Sequence, residues 1–308
     1  MIALVEVELR RLWARKLTRT IGIVLLVGVV VAPPVVDRAF RERARIERDA
    51  DLERCIQAQP PKVRDGVTMP TIPDTVRSPA ERAARCERAI PPRDGTFHLR
   101  EIGEILRPLG ALLIIAGFMV GASAIGADWQ AGFLPTLLTW EGRRTRVFLA
   151  KLVAVAGTVL VAVAVWQVLL TLVLTPFAAA RDATDGTGAA WLRETGGLGL
   201  RVAAVAAGAT AVGYALALVG RGTAAALGGG LAYVLVLESV LSSNFKPLRP
   251  WLVLDNAIVF VKGQFEGGPG GDVPGRTVVA SAVLLAAYLA VVLSVAAVVF
   301  RRRDVTVR

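Results

Sequence analysis

The sequence has little of the chemistry that enzymes use. It contains one histidine and two cysteines in 308 residues, which excludes a site built from several His or Cys side chains. No Ser/His/Asp arrangement and no cluster with metal-ligand spacing occurs, and His98 has no second histidine beside it. These absences predict that the chain is not itself an enzyme and holds neither a metal nor a cofactor.

A phosphate-binding loop is also missing. Such a loop needs Gly-Lys before Ser or Thr, so that backbone amides and the lysine reach the phosphates. The five lysines of this chain follow Arg, Pro, Ala, Phe and Val, and no Gly-Lys occurs anywhere. We therefore expect no bound nucleotide in this chain.

Long apolar runs dominate what is present. The chain is 54% hydrophobic, with only 6% aromatic residues, and its mean hydropathy is +0.56. Several runs of roughly 20 apolar residues are long enough to cross a hydrocarbon core about 30 Å thick. Because backbone groups cannot bond to water in lipid, such runs form helices. The composition predicts an all-α membrane protein with six transmembrane helices.

The predicted order of segments follows from these runs. The transmembrane helices are expected at 20–36, 106–127, 149–177, 198–219, 223–241 and 277–300. Residues 1–19 form either an amphipathic interfacial helix or an ordinary charged flank. Pro33-Pro34 should end the first span, which is either an uncleaved anchor or a signal peptide. Between the later spans, 242–276 is a re-entrant or surface loop, and 301–308 is a tail.

The distribution of positive charge predicts the orientation. Lys and Arg mark cytoplasmic loops. The segments 1–19, 126–151, the Arg221 turn and 301–308 together contain 14 basic and 5 acidic residues. We expect both termini in the cytoplasm of a multi-pass, bacterial-type plasma-membrane protein. The net charge of +11 then reflects contact with the lipid bilayer rather than with nucleic acid.

The extracytoplasmic segment 37–105 contains both cysteines, Cys55 and Cys86. Ser78-Pro79 with Glu81 is a helix start, with an N-cap serine and proline at the first helical position. An oxidising compartment favours a disulfide over two free thiols. That disulfide would stabilise the segment by roughly 3–4 kcal/mol.

Gln167 and Glu238, both within the predicted spans, are candidates for lining a transport pathway. Gln167 either bonds to a neighbouring helix or lines a pathway. Glu238 either has a functional role or is solvated at the interface. Apart from Glu238, the spans lack the buried ionisable groups that ion-driven carriers use. If the protein transports, another subunit should therefore supply the energy.

The segment 128–148 between the second and third spans carries the most specific pattern. Gly121 and Gly126 precede Asp128, which is followed by Gly132. Leu137-Leu138-Thr139 forms a short apolar stretch. Arg144, Arg146 and Ala150-Lys151 lead into the third span. This pattern resembles the cytoplasmic loop of ABC-2-type permeases, the membrane subunits of ATP-driven exporters, although Phe133, Pro135 and Trp140 depart from it.

The resemblance covers the order of helices and the basic tail after Phe300. It implies that the loop docks on two cytoplasmic ABC ATPase subunits, which bind ATP and Mg²⁺, and that the permease pairs with a second copy or a paralogue. The residues implied in ATPase coupling are Asp128, Gly132, Leu134, Leu137, Leu138, Arg143, Arg144 and Arg146. Two alternatives stay open: the arginines only mark the inner face, or the protein is a non-transporting scaffold or sensor whose outer segment binds a partner.

Overall fold

The structure, a computed structural model, describes residues 2–57, 79–92, 94–133, 143–262 and 277–302. It is about 90% helical, and the described residues contain no strand. Six of its helices are long and apolar enough to cross a membrane. The predicted all-α, multi-pass membrane architecture is therefore confirmed at this level.

The helices are numbered in chain order. They are α1 Ile2–Ala14, α2 Lys16–Gln57, α3 Pro79–Ala89, α4 Ile102–Gln130, α5 Arg144–Ala179, α6 Ala189–Gly220, α7 Thr223–Asn244, α8 Val253–Lys262 and α9 Val278–Arg302. The membrane-spanning candidates are α2, α4, α5, α6, α7 and α9. Short 3-10 turns precede α4 and α8, and Tyr233–Glu238 within α7 is a π-helix.

Two helices differ from the predicted spans. The first span does not end at Pro33-Pro34, because α2 continues through both prolines to Gln57. Each proline removes one helical hydrogen bond, yet membrane helices tolerate proline where neighbouring groups compensate. The fourth span begins at Ala189, nine residues before 198. Arg193 and Glu194 lie outside the apolar run but still within the helix.

The chain divides into two compact units, and the larger comprises Met1–Val29, Arg100–Leu172 and Gly186–Arg308. Its centre is the close packing of α4 against α6. A Cβ on Gly121 would lie 1.9 Å from the Thr210 carbonyl oxygen, and one on Gly213 would lie 2.3 Å from that of Phe118. Only glycine permits such backbone approach, as in other membrane helix pairs.

The smaller unit comprises Val30–Leu99 and Val173–Asp185. Cys55 and Cys86 form a disulfide that joins the end of α2 to α3. Phe40 packs edge-to-face on Phe97, with ring centroids 5.2 Å apart. Arg181 pairs with Asp37 at 3.1 Å. These contacts, together with the disulfide, give the unit a small core of its own.

Candidate functional site

The connection between α4 and α5 begins and ends in described residues. α4 ends at Gln130, and Gly132 then adopts a positive φ of 63°, a conformation that favours glycine. α5 begins at Arg144. Residues 134–142, which include the predicted coupling residues Leu134, Leu137 and Leu138, lie outside the described part of the chain.

A chain of buried charges lies where the connection meets the two helices. The Lys151 ammonium donates to Glu8 Oε1 and to Asp128 Oδ2, each at 2.7 Å. The Arg15 guanidinium donates to Asp128 Oδ1 at 2.8 Å. The side chains of Glu8, Asp128 and Lys151 are at most 10% exposed. Two acids and two bases therefore neutralise one another in a largely buried site.

The local sequence explains how these four residues meet. Asp128 lies in the last turn of α4, and Lys151 lies two turns into α5. Glu8 lies on α1, and Arg15 lies in the bend between α1 and α2. Leu12, four residues after Glu8 and so on the same face of α1, is 3% exposed. The inward face of α1 thus carries both an acid and a packed leucine.

The polar atoms of Arg15 are well satisfied. Besides Asp128, its guanidinium donates to the carbonyl oxygens of Ser123 and Ala124, each at 2.8 Å. Removing one partner of a buried ion pair costs about 3–5 kcal/mol, because it leaves the other charge uncompensated. Removing any one of the four side chains is therefore expected to destabilise the fold. The gain from the four together is smaller, because burying the charges costs free energy.

Phe133, which follows the turn at Gly132, contacts the same group of charges. The Arg11 guanidinium carbon lies 3.7 Å from the ring centroid of Phe133, and Lys151 Nζ lies 5.6 Å from it. Arg11 also approaches Glu8 at 3.9 Å. Cation–π contacts of this kind contribute roughly 0.5–2 kcal/mol each. α1 therefore contacts the beginning of the connection as well as its flanking helices.

The three arginines at the end of the connection have different environments. Arg143 is exposed. Arg144 donates to the carbonyl oxygens of Phe300 and Arg301 at 3.4 Å, at the end of α9. Such long bonds are weak, but a cation is favourable at a helix C-terminus. Arg146 is partly buried. Of the three, Arg143 is the most accessible to a partner.

Packed aromatic residues support the site from behind. Phe148 on α5 lies 5.5 Å from Tyr214 on α6 and 6.4 Å from Phe300 on α9, between ring centroids. The Tyr214 hydroxyl donates to the Phe148 carbonyl oxygen at 3.3 Å. α5, α6 and α9 are thereby joined one turn from the charged residues.

The two polar residues predicted within the spans lie elsewhere. Gln167 donates to the Gly199 carbonyl oxygen at 3.1 Å, so it bonds α5 to α6. Glu238, 3% exposed, accepts the amide of Leu254 in the first turn of α8. A carboxylate at a helix N-terminus satisfies free amides there and complements the helix dipole. Neither residue joins the charged group around Lys151.

Sequence reasoning identified Asp128, Gly132 and the arginines but missed Glu8 as a partner of Lys151. The pair is separated by 143 positions, and no local pattern gives such a contact. The available signal was the acid at position 8, four residues before Leu12 and therefore on the same face of the helix as that leucine.

The comparisons with known proteins give no further information about this site. No family model, no curated protein and no solved structure matches the chain. The class of protein that the structure defines is therefore a multi-pass helical membrane protein with a buried charged site at one end of its helices.

Proposed function

We propose that the protein is the transmembrane permease subunit of an ABC-2-type exporter. It moves a substrate across the plasma membrane with ATP that a separate subunit hydrolyses. The six spanning helices and the absence of Gly-Lys from the sequence are consistent with this division of labour. ATP and Mg²⁺ belong to the two partner ATPase subunits, and a second permease copy or a paralogue completes the dimer.

The observation that carries the proposal is the attachment of the α4–α5 connection at both ends. Before its beginning, Asp128 bonds to Arg15 and Lys151 at 2.7–2.8 Å, and at its beginning Phe133 contacts Arg11 of α1 at 3.7 Å. Arg144 contacts α9 at the other end. In the proposal, these contacts at the two ends transmit force from a bound partner into the membrane helices.

The charges at this end support a cytoplasmic location. Arg10, Arg19 and Arg143 are exposed there, and Arg301 and Arg302 are exposed at the end of α9. Basic residues in short segments favour the inner face of the membrane. In the proposal both termini are cytoplasmic, α1 lies at the inner interface with its exposed Trp13 toward lipid, and the smaller disulfide-bonded unit is outside.

Docking on the ATPase can be tested by co-purification. The tagged protein is purified from membranes of its native host, and associated chains are identified by mass spectrometry. We expect a soluble subunit with a Gly-Lys-Ser or Gly-Lys-Thr loop. Arg143→Glu and Leu137→Asp should each abolish its recovery.

The matched control for that experiment is Arg193→Glu, which makes the same charge change at an exposed position. Arg193 lies near the beginning of α6, at the end of that helix away from the α4–α5 connection. It should leave recovery of the ATPase subunit unchanged. Recovery of no ATPase with the unaltered chain, or equal recovery with all variants, would contradict the proposal.

The second candidate, a non-transporting scaffold or sensor, is favoured by one observation, the disulfide-linked helices of the smaller unit. For that function, changes in α3 would abolish partner binding and Arg143→Glu would have no effect. The same set of variants therefore separates the two candidates.

A further inference from the structure

We propose that the bend between α1 and α2 binds the headgroup of one anionic phospholipid through Trp13, Lys16 and Arg19. This lipid site is independent of the function proposed above, because it involves only this chain and the bilayer and needs no ATPase subunit. It also does not depend on which side of the membrane the N-terminus occupies.

The two cations at the bend have no acid to pair with. Lys16 and Arg19 are exposed, and no carboxylate in the described part of the chain lies within ion-pair distance of either. The acids of α1 and of the end of α4 already pair with other bases, as Glu6–Arg10, Glu8–Lys151 and Asp128–Arg15. Two positive charges are therefore left for a partner outside the chain.

A bond to the backbone holds Arg19 at the bend. Its Nε donates to the Trp13 carbonyl oxygen at 2.8 Å, which leaves the two terminal guanidinium nitrogens for a ligand. Lys16 is three residues before Arg19 on α2, and residues three apart on a helix are neighbours. A guanidinium binds two oxygens of one phosphate, and a nearby ammonium adds a point charge. The pair therefore suits a phosphate group.

The position of the two cations along α2 matches the depth of lipid headgroups. Exposed apolar side chains of α2 begin with Ile23 and Val24, which are 61% and 62% exposed. Ile23 is four residues after Arg19, about 6 Å along the helix axis. The headgroup layer on each side of the hydrocarbon core is about 5–7 Å thick. This depth favours a lipid phosphate over an acidic protein as the occupant.

Trp13 supplies an interfacial side chain beside the cations. It is 66% exposed, and its backbone is bonded to Arg19. The indole combines an apolar ring with an N–H donor, and tryptophan is enriched for this reason where membrane meets water. In the proposal the indole contacts the glycerol region of the lipid whose phosphate lies at Lys16 and Arg19.

The test measures lipid binding to the purified full-length chain by native mass spectrometry. Delipidated protein in detergent is titrated with phosphatidylglycerol, which is anionic, or with phosphatidylcholine, which is zwitterionic. We expect the first phosphatidylglycerol to bind more tightly than the first phosphatidylcholine. The double variant Lys16→Gln, Arg19→Gln should bind phosphatidylglycerol about thirtyfold more weakly, the usual contribution of two basic residues near anionic lipid. Its unchanged affinity for phosphatidylcholine would show that the variant is folded.

The matched control is Arg10→Gln, which removes an exposed cation of α1 that already pairs with Glu6. It should leave the affinity for phosphatidylglycerol unchanged, whereas Arg19→Gln alone should lower that affinity about fivefold. Equal losses in the two single variants would show that the lipid responds only to total charge, and would overturn the inference. Equal affinity of the unaltered protein for the two lipids would overturn it as well.

Inorganic phosphate separates a lipid site from a site for a free anion. At constant ionic strength, an excess of inorganic phosphate should not displace phosphatidylglycerol, because phosphate has no glycerol region to contact Trp13. Trp13→Ala should accordingly weaken phosphatidylglycerol binding without any change of charge. Displacement by phosphate, together with full affinity in Trp13→Ala, would assign the bend to a free anion and contradict the lipid site.

Discussion

The Lys151 ammonium donates to Glu8 Oε1 at 2.7 Å, although the two residues are 143 positions apart in the chain. Both side chains are less than a tenth exposed. The bond joins a short N-terminal helix to a membrane-spanning helix, beside the acid that ends the preceding span.

Replacing the central base should destabilise the protein strongly. Lys151→Met leaves Glu8 without its closest cation and removes one of the two cations of Asp128. Breaking buried ion pairs costs about 3–5 kcal/mol. We expect a lower midpoint of thermal unfolding in detergent. Arg10→Met, which breaks only the exposed pair with Glu6, should cost less than about 1 kcal/mol. Equal midpoints for the two variants would contradict this assignment.

The close packing of α4 on α6 should not tolerate a side chain at Gly121. A Cβ at that position would lie 1.9 Å from the Thr210 carbonyl oxygen, which is backbone and cannot rotate away. Overpacking of this kind typically costs about 1–3 kcal/mol, occasionally more. Gly121→Ala should therefore reduce the fraction of monodisperse protein on size-exclusion chromatography. Gly157→Ala, at a position with open space around it, should not.

Glu238 should stabilise the beginning of α8. Its carboxylate accepts the Leu254 amide, and loss of a helix cap costs about 0.5–2 kcal/mol. In Glu238→Ala we expect faster hydrogen exchange in 253–257, by roughly two- to thirtyfold, since 1.4 kcal/mol corresponds to a factor of about ten. The neighbouring Ser239→Ala serves as a control, because that hydroxyl bonds within its own helix. Unchanged exchange in Glu238→Ala would show that the cap contributes nothing.

The two cysteines should be unreactive until they are reduced. The disulfide closes a sequence separation of 31 residues, which corresponds to a stabilisation of about 3–4 kcal/mol in the chain-entropy estimate. A maleimide-polyethylene glycol reagent should add nothing to the oxidised protein and two groups after reduction. Cys55→Ser should add one group without reduction. Labelling of the unaltered, unreduced protein would contradict the pairing.

The spanning helices were predictable because they depend on local properties. A run of apolar residues such as 278–300 has no alternative to a helix in lipid, and α9 occupies Val278–Arg302. The beginning of α3 at Pro79 follows from the sequence pattern Ser78-Pro79 with Glu81. The prediction that Pro33-Pro34 ends the first span was wrong. Proline ends helices mainly in water, where the freed backbone groups are readily hydrated, whereas membrane helices tolerate it.

The charged group was only half predictable. Asp128 lies within a recognisable local pattern, but its partner Arg15, and the acid Glu8 that shares Lys151 with it, come from the N-terminal segment. Which acid pairs with which base depends on how α1 lies against α4 and α5. That arrangement results from long-range packing, which no spacing within the sequence encodes. The same reason explains why the contact of Arg144 with the end of α9 was not predicted, while its role in ATPase coupling stays a prediction.

The central claim is that a separate ATPase docks at the α4–α5 connection, and cross-linking in intact cells tests it most directly. A photoactivatable cross-linker is attached at Arg143→Cys, and adducts are identified by mass spectrometry. The account predicts an adduct with a subunit that carries a Gly-Lys-Ser or Gly-Lys-Thr loop, and none from Arg193→Cys at the opposite end of the helices. The absence of that adduct at position 143, or its equal formation at position 193, would contradict the account.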